Sequence, residues 1–104
     1  MKDIISPEQI ILNNGQTIKL IGIKGNRKNE EKAINFLKQK THKRKVFMKY
    51  DDIKYDDKNN LLCYLYLDNK TFINNHLIRT GFVDVDDSYD YSCKQKFVNS
   101  YSQQ

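Results

Sequence analysis

Two short cationic runs are the residues best suited by type and spacing to do chemistry: Lys24, Arg27 and Lys28 in KGNRK, and Lys43, Arg44 and Lys45 in THKRK. Between Lys19 and Lys49 the chain carries eleven Lys and Arg against two Glu. That is a local balance of +9 within a net charge of +5, leaving −4 for the remainder. Clustered cations release counterions from a polyanion, so the asymmetry points to a nucleic acid or a membrane surface. Tyr50, Tyr55, Tyr64 and Tyr66 offer rings for stacking on bases, although strand alternation sends at least half of them into the core.

Other chemistry is weakly supported. Asp84, Asp86, Asp87 and Asp90 crowd one loop, but their spacing lacks the Gly and terminal Glu of a calcium loop, so no metal is expected. Cys63 and Cys93 have neither CxxC spacing nor a His pair, which leaves two reduced thiols, Cys63 in the core, with no zinc and no disulfide. His42, among cations, and His76, on a short helix, read as surface residues and not as catalytic bases. No run is long enough to span a bilayer and the N-terminus lacks the apolar stretch of a signal peptide, so a cytoplasmic protein is expected.

The elements that must position these residues follow from pattern. At 104 residues, with 38% hydrophobic content gathered into runs, the chain is one domain with a thin core. Residues 1–8 read as a leader or the remnant of a longer chain, 9–101 as the domain, and 102–104 as a frayed tail. Gln9–Leu12 and Gln16–Ile23 read as strands joined by an Asn13-Asn14-Gly15 turn, with Gly22 marking a bend or a close backbone approach. Asn29 reads as the cap of a helix to Lys40 that buries Ala33, Ile34 and Leu37. Val46 to Tyr50 alternates as a strand, and Asp51–Asn60 is an acidic turn. The apolar run Leu61–Leu67 is a strand buried on both faces, around which the rest is organised. Asp68-Asn69 turns it into a second strand, Lys70–Ile73. Asn74 then caps a short helix that carries Leu77 and Ile78 and stops at Gly81. Phe82 to Val85 is a last strand, and Tyr89, Cys93, Phe97 and Tyr101 recur every fourth residue as the stripe of a C-terminal helix. The order fits an α+β, mainly β fold: a small five-stranded OB-type barrel with two or three helices.

TIKLIGI at Thr17–Ile23, a following helix with EKAINFL, and LLCYLYLDNKTFINNHLIRTGF at Leu61–Phe82 together resemble the staphylococcal-nuclease-like (thermonuclease) domain. That family reads DGDT, VRLIGID, a helix, YGRLLAYVYLDG, VN and LVRxGLA. The resemblance implies a nucleic-acid-binding OB barrel and, in active members, a calcium-dependent phosphodiesterase whose carboxylates hold the metal and whose arginines neutralise the phosphate. Placed on this chain, the metal carboxylate of DGDT falls on Gln16, the arginine of VRLIGID on Lys19, its final aspartate on Lys24, and the arginine of YGR on Asn60. A lysine at a metal ligand excludes a divalent ion by like charge, so the resemblance implies a catalytically degenerate member with no catalytic residues, metal or cofactor of its own.

The runs ILNNGQTIKLIGIK, EKAINFL and KTFINNHLIRTGFVDVD also resemble the C-terminal appendage of bacterial site-specific DNA methyltransferases. No DPPY-type tetrapeptide or glycine-rich cofactor loop is present. The expectation is therefore a non-catalytic DNA-binding accessory module within a larger restriction-modification chain. Lys24, Arg27, Lys28, Lys43, Arg44, Lys45, Tyr64 and Tyr66 would contact the nucleic acid. A residual calcium-dependent nuclease and a protein-docking domain are the alternatives.

Overall fold

The computed structural model describes residues 3–12, 15–86 and 91–102. Seven strands and three helices are found among them. They are β1 (Asp3–Ile4), β2 (Gln9–Ile11), β3 (Thr17–Leu20), β4 (Ile23–Gly25), α1 (Glu30–Thr41), β5 (Val46–Lys49), β6 (Leu61–Leu67), α2 (Ile73–Thr80), β7 (Val83–Val85) and α3 (Lys94–Ser102). One sheet has the order β1-β2-β3-β6-β5, and a second pairs β4 with β7. The fold is the expected α+β, OB-type arrangement.

β6 is the central strand. Six of its seven residues are buried, because β3 flanks it in parallel, β5 flanks it antiparallel, and α2 packs against it. Its apolar run needs cover on both faces, and the helices supply it. The core gathers Ile10, Ile18, Leu20, Ile23, Leu37, Leu65, Ile73, Leu77, Ile78, Val83 and Phe97, all under 2% exposed, into one cluster.

The expected single strand Gln16–Ile23 is broken. Ile21-Gly22 bends it so that β3 stays with β6 while β4 crosses to pair with β7. Gly22 makes the bend possible at φ +77°, and a Cβ there would lie 2.6 Å from Phe97 Cδ2 and 2.8 Å from the Tyr91 hydroxyl. Both the left-handed backbone and the close approach exclude a side chain.

Asp3–Ile4 form the edge strand β1 of the sheet, so this segment packs with the domain. Asp3 and Ile4 pair with Ile11 and Ile10, and Pro7 is buried. Asn29 does not cap α1 with its side chain; a 3-10 turn at Arg27–Asn29 precedes the helix, and Asn26 caps that turn by accepting from the Lys28 N–H at 2.9 Å. The expected return strand Lys70–Ile73 shrinks to one bridge, Tyr66 to Phe72, because Ile73 already opens α2. Gly81 ends α2 at φ +79° as expected. The C-terminal helix begins at Lys94, so its stripe is narrower than the four-residue spacing suggested. Phe97 is fully buried and Tyr101 is exposed, while Tyr89, Asp87, Asp90, Asn13 and Asn14 lie outside the described residues.

Candidate nucleic-acid interface

Three neighbouring strands build one cleft. Gln9 pairs with Lys19 across β2 and β3, and Lys19 with Leu62 across β3 and β6, so the three residues stand side by side on one face. The segment 51–60 folds over them, held by the bridge from Tyr55 to Leu61 and by the Leu62 N–H donating to Lys54 O at 2.7 Å. The result is a cleft of about 700 Å³, lined also by Glu8, Asp56, Asn60 and Asp86.

Asp56 is its hub. Its Oδ1 accepts from the Lys58 and Asn60 backbone N–H groups at 2.9 and 2.8 Å. Its Oδ2 accepts from Asn60 Nδ2 at 3.1 Å and stands 3.7 Å from Lys19 Nζ. Burial alone would raise the Asp56 pKa. The Asn60 and Lys58 hydrogen bonds and the Lys19 charge outweigh it and hold the carboxyl below its ordinary value. Lys19 is therefore neutralised from within the protein. Across the whole lining, four carboxylates (Glu8, Asp56, Asp57, Asp86) face two lysines (Lys19, Lys58). A cleft of that sign repels a polyanion.

The positions read as altered catalytic sites are only partly brought together. Lys19 and Asn60 converge on Asp56. Lys24 is exposed on β4, paired with Asp84 of β7, and does not line the cleft. Gln16 stands apart at the end of the β2–β3 hairpin, where its carbonyl accepts from the Leu12 N–H at 2.8 Å. It lies three residues from Lys19 along the strand, or about 10 Å. The acid that does reach the cleft is Glu8, whose carbonyl accepts from the Leu20 N–H at 2.8 Å. Its carboxylate runs beside β4, 3.5 Å from where a Cβ on Gly25 would stand. Counting the register back from Gly15 would have found it: Leu12 opposes Gln16, Gln9 opposes Lys19, and Glu8 follows opposite Leu20.

The cationic runs are separated by α1. Lys24, Arg27 and Lys28 lie near one end and Lys43, Arg44 and Lys45 at the other, all exposed. Twelve residues of helix put them about 18 Å apart. Arg44 is engaged, its Nε and Nη2 reaching Asp68 Oδ1 at 3.0 and 2.5 Å. Among the described residues, Lys43 and Lys45 form no ion pair. Lys43 and Lys70 hold φ of +55° and +70°, a conformation that costs a side-chain-bearing residue roughly 1–2 kcal/mol. Through the Val46–Leu67 pair they flank the same end of β5 and β6.

The expected stacking role of Tyr64 is corrected by its burial. The ring is 5% exposed against Phe72 and Phe97, and its hydroxyl donates to Asp51. Tyr66 is half-buried and already stacked on Phe72 with centroids 4.6 Å apart, while Lys49 Nζ lies 5.2 Å from its ring. The exposed rings among the described residues are Phe47 at 53%, Tyr55 at 53%, Tyr50 at 49% and Tyr101 at 41%. Tyr55 lines the cleft, whereas the sequence marks Phe47 only as one member of an alternating strand.

No group of three His, Cys, Asp or Glu able to hold a metal occurs among the described residues. His76 is half-buried, and burial, then the Lys40 and Arg79 charges, push its pKa down. Burial pushes the Cys63 thiol up to about 12. No described helix is long and apolar enough to cross a membrane.

A model of the staphylococcal nuclease homologue family matches residues 4–103, which is nearly the whole chain and takes in every element above except Asp3 of β1. The chain belongs to the staphylococcal nuclease homologue family. Among curated proteins none matches it. As a staphylococcal nuclease homologue it is a module of the nucleic-acid-binding or nuclease type. In this homologue the sheet places Lys19, Asn60 and Glu8 around one cleft, with Asp56 between the first two.

Proposed function

We propose that this staphylococcal nuclease homologue is a non-catalytic DNA-binding module, the accessory domain of a larger chain of the site-specific DNA methyltransferase kind. One observation carries the first part: the cation that would meet a phosphate in the cleft, Lys19, is paired with Asp56, and Asn60 completes that pair in place of a second cation. A phosphodiesterase needs a held metal and a cationic clamp on the developing charge. Lys24 and Asn60 supply neither a carboxylate nor a guanidinium at the positions where the resemblance calls for them. Binding is supported by the +9 segment from Lys19 to Lys49 and by exposed cations at both ends of α1.

The accessory role rests on the likeness of ILNNGQTIKLIGIK and KTFINNHLIRTGFVDVD to methyltransferase appendages. A coding frame without a methyltransferase would remove it. The competing reading, a calcium-dependent nuclease, draws on the family alone, since Glu8, Asp56 and Asp86 line one cleft without forming a group able to hold a metal. Incubating the protein with supercoiled plasmid and millimolar calcium separates the two. Intact plasmid is expected, with a DNA mobility shift that disappears as salt is raised; strand scission would overturn the proposal.

A further inference from the structure

We infer that the outer face of β5 and β6, and not the inherited cleft, is the surface that takes nucleic acid, and that it takes a single strand by stacking a base on Phe47. The inference rests on the reading that the domain binds nucleic acid, and it names where and in what form.

A shallow groove of about 480 Å³ runs along this face, lined by Phe47, Lys49, Tyr66, Leu67, Asp68 and Lys70. Phe47 pairs with Tyr66 across the ladder, so both rings point to the same side. The barrel side of β5 is occupied by the half-buried Val46 and Met48, while Phe47 turns outward at 53% exposure. Tyr66 is backed by Phe72 and makes a floor; among the described residues no ring stacks on Phe47, at the edge of the aromatic ladder.

The charge of this groove is opposite to that of the cleft. Its one acidic lining residue, Asp68, is already paired with Arg44. Lys49 and Lys70 line it, and Lys43 and Lys45 stand at its end; none of the four is ion-paired among the described residues. Lysines on either side of an outward ring are what a single strand requires, cations for the phosphates and an aromatic face for an unpaired base. A duplex keeps its base faces covered and cannot use the ring.

Phe47 and Tyr55 have equal exposure and lie on the two competing surfaces, which makes them a matched pair. Anisotropy of fluorescein-labelled dT12 and of a 12-base-pair duplex, each titrated with the full chain, is the test. Phe47→Ala is expected to weaken dT12 binding roughly tenfold or more while changing the duplex less than twofold. Tyr55→Ala is expected to leave both within twofold. The chain has 7 Tyr but no Trp, so Phe47→Trp supplies a lone, selectively excitable tryptophan whose emission should be quenched by unlabelled dT12 with affinity retained. Equal losses for strand and duplex, or a loss confined to Tyr55→Ala, would overturn this inference and leave DNA binding standing. A wild-type chain that binds neither probe at low salt overturns both.

Discussion

Replacing Asn74 should harm the protein more than removing any surface cation. Its Oδ1 accepts from the Leu65 N–H at 2.8 Å and its Nδ2 donates to Ile21 O at 2.9 Å, with all three residues buried. The amide thus ties α2 to β6 and to the bend after β3. Asn74→Leu would fill the space but strand a buried donor and a buried acceptor, a loss of about 2–5 kcal/mol in chemical denaturation. Sequence alone marks Asn74 as a helix cap, because Asn near a helix start carries that local signal and its long-range partners leave none; it lies inside α2, whose N-cap position is Phe72. Asp51 was equally hidden within an acidic turn. It accepts from the Tyr64 hydroxyl, from Ser92 N at 2.7 Å and from Ser92 Oγ at 3.0 Å, joining the end of β5 to β6 and to the approach of α3. Burial would raise its pKa, but these bonds and the Asp52 N–H bring it to about 2 from 3.8. A depressed carboxylate adds stability that is complete above pH 4–5 and is lost as pH falls through about 2. Discounted for solvent screening, Asp51 should supply about 1–2 kcal/mol of stability at neutral pH that acid removes, and Asp51→Asn should flatten that part of the stability curve.

At the scale of elements, what was legible had its own periodicity or turn chemistry. β6 was readable as an uninterrupted apolar run, α2 as Leu77 and Ile78 followed by Gly81, and α1 from Ala33 and Leu37. Elements whose limits depend on a neighbour were misread. β3 and β4 form one apolar run in sequence, and only the approach of α3 shows why it must break at Gly22. The break yields a prediction about packing. Gly22→Ala must place a methyl 2.6 Å from the Phe97 ring and hold φ at +77°. Overpacking at about 1–3 kcal/mol and the left-handed penalty of about 1–2 kcal/mol add to roughly 2–5 kcal/mol. Phe97→Leu should recover part of the packing loss in the double variant and none of the backbone loss. Full recovery would show that the backbone there is less constrained than the φ value implies.

For the whole molecule, charge is divided by surface. The acidic side is the cleft between β2, β3 and segment 51–60; the basic side runs along α1 and ends beside β5. Composition showed the sum and the +9 segment, but not that the inherited cleft lies on the negative half, because Glu8, Asp56 and Asp86 are distant in sequence. The separation of the two basic runs by about 18 Å of helix makes ligand length a variable. A short oligonucleotide seated at β5 reaches Lys43 and Lys45, whereas a longer one can continue to Lys24, Arg27 and Lys28. Between 50 and 200 mM salt, four neutralised phosphates on a single strand correspond to a loss of about 50-fold in affinity. For a 6-mer, Lys43→Ala with Lys45→Ala should lower the slope of log K against log salt by about 1.4, and the triple change at Lys24, Arg27 and Lys28 should leave it unchanged. For a 20-mer both sets should lower it. Equal sensitivity of the 6-mer to both sets would mean that the strand crosses the helix and does not begin at β5.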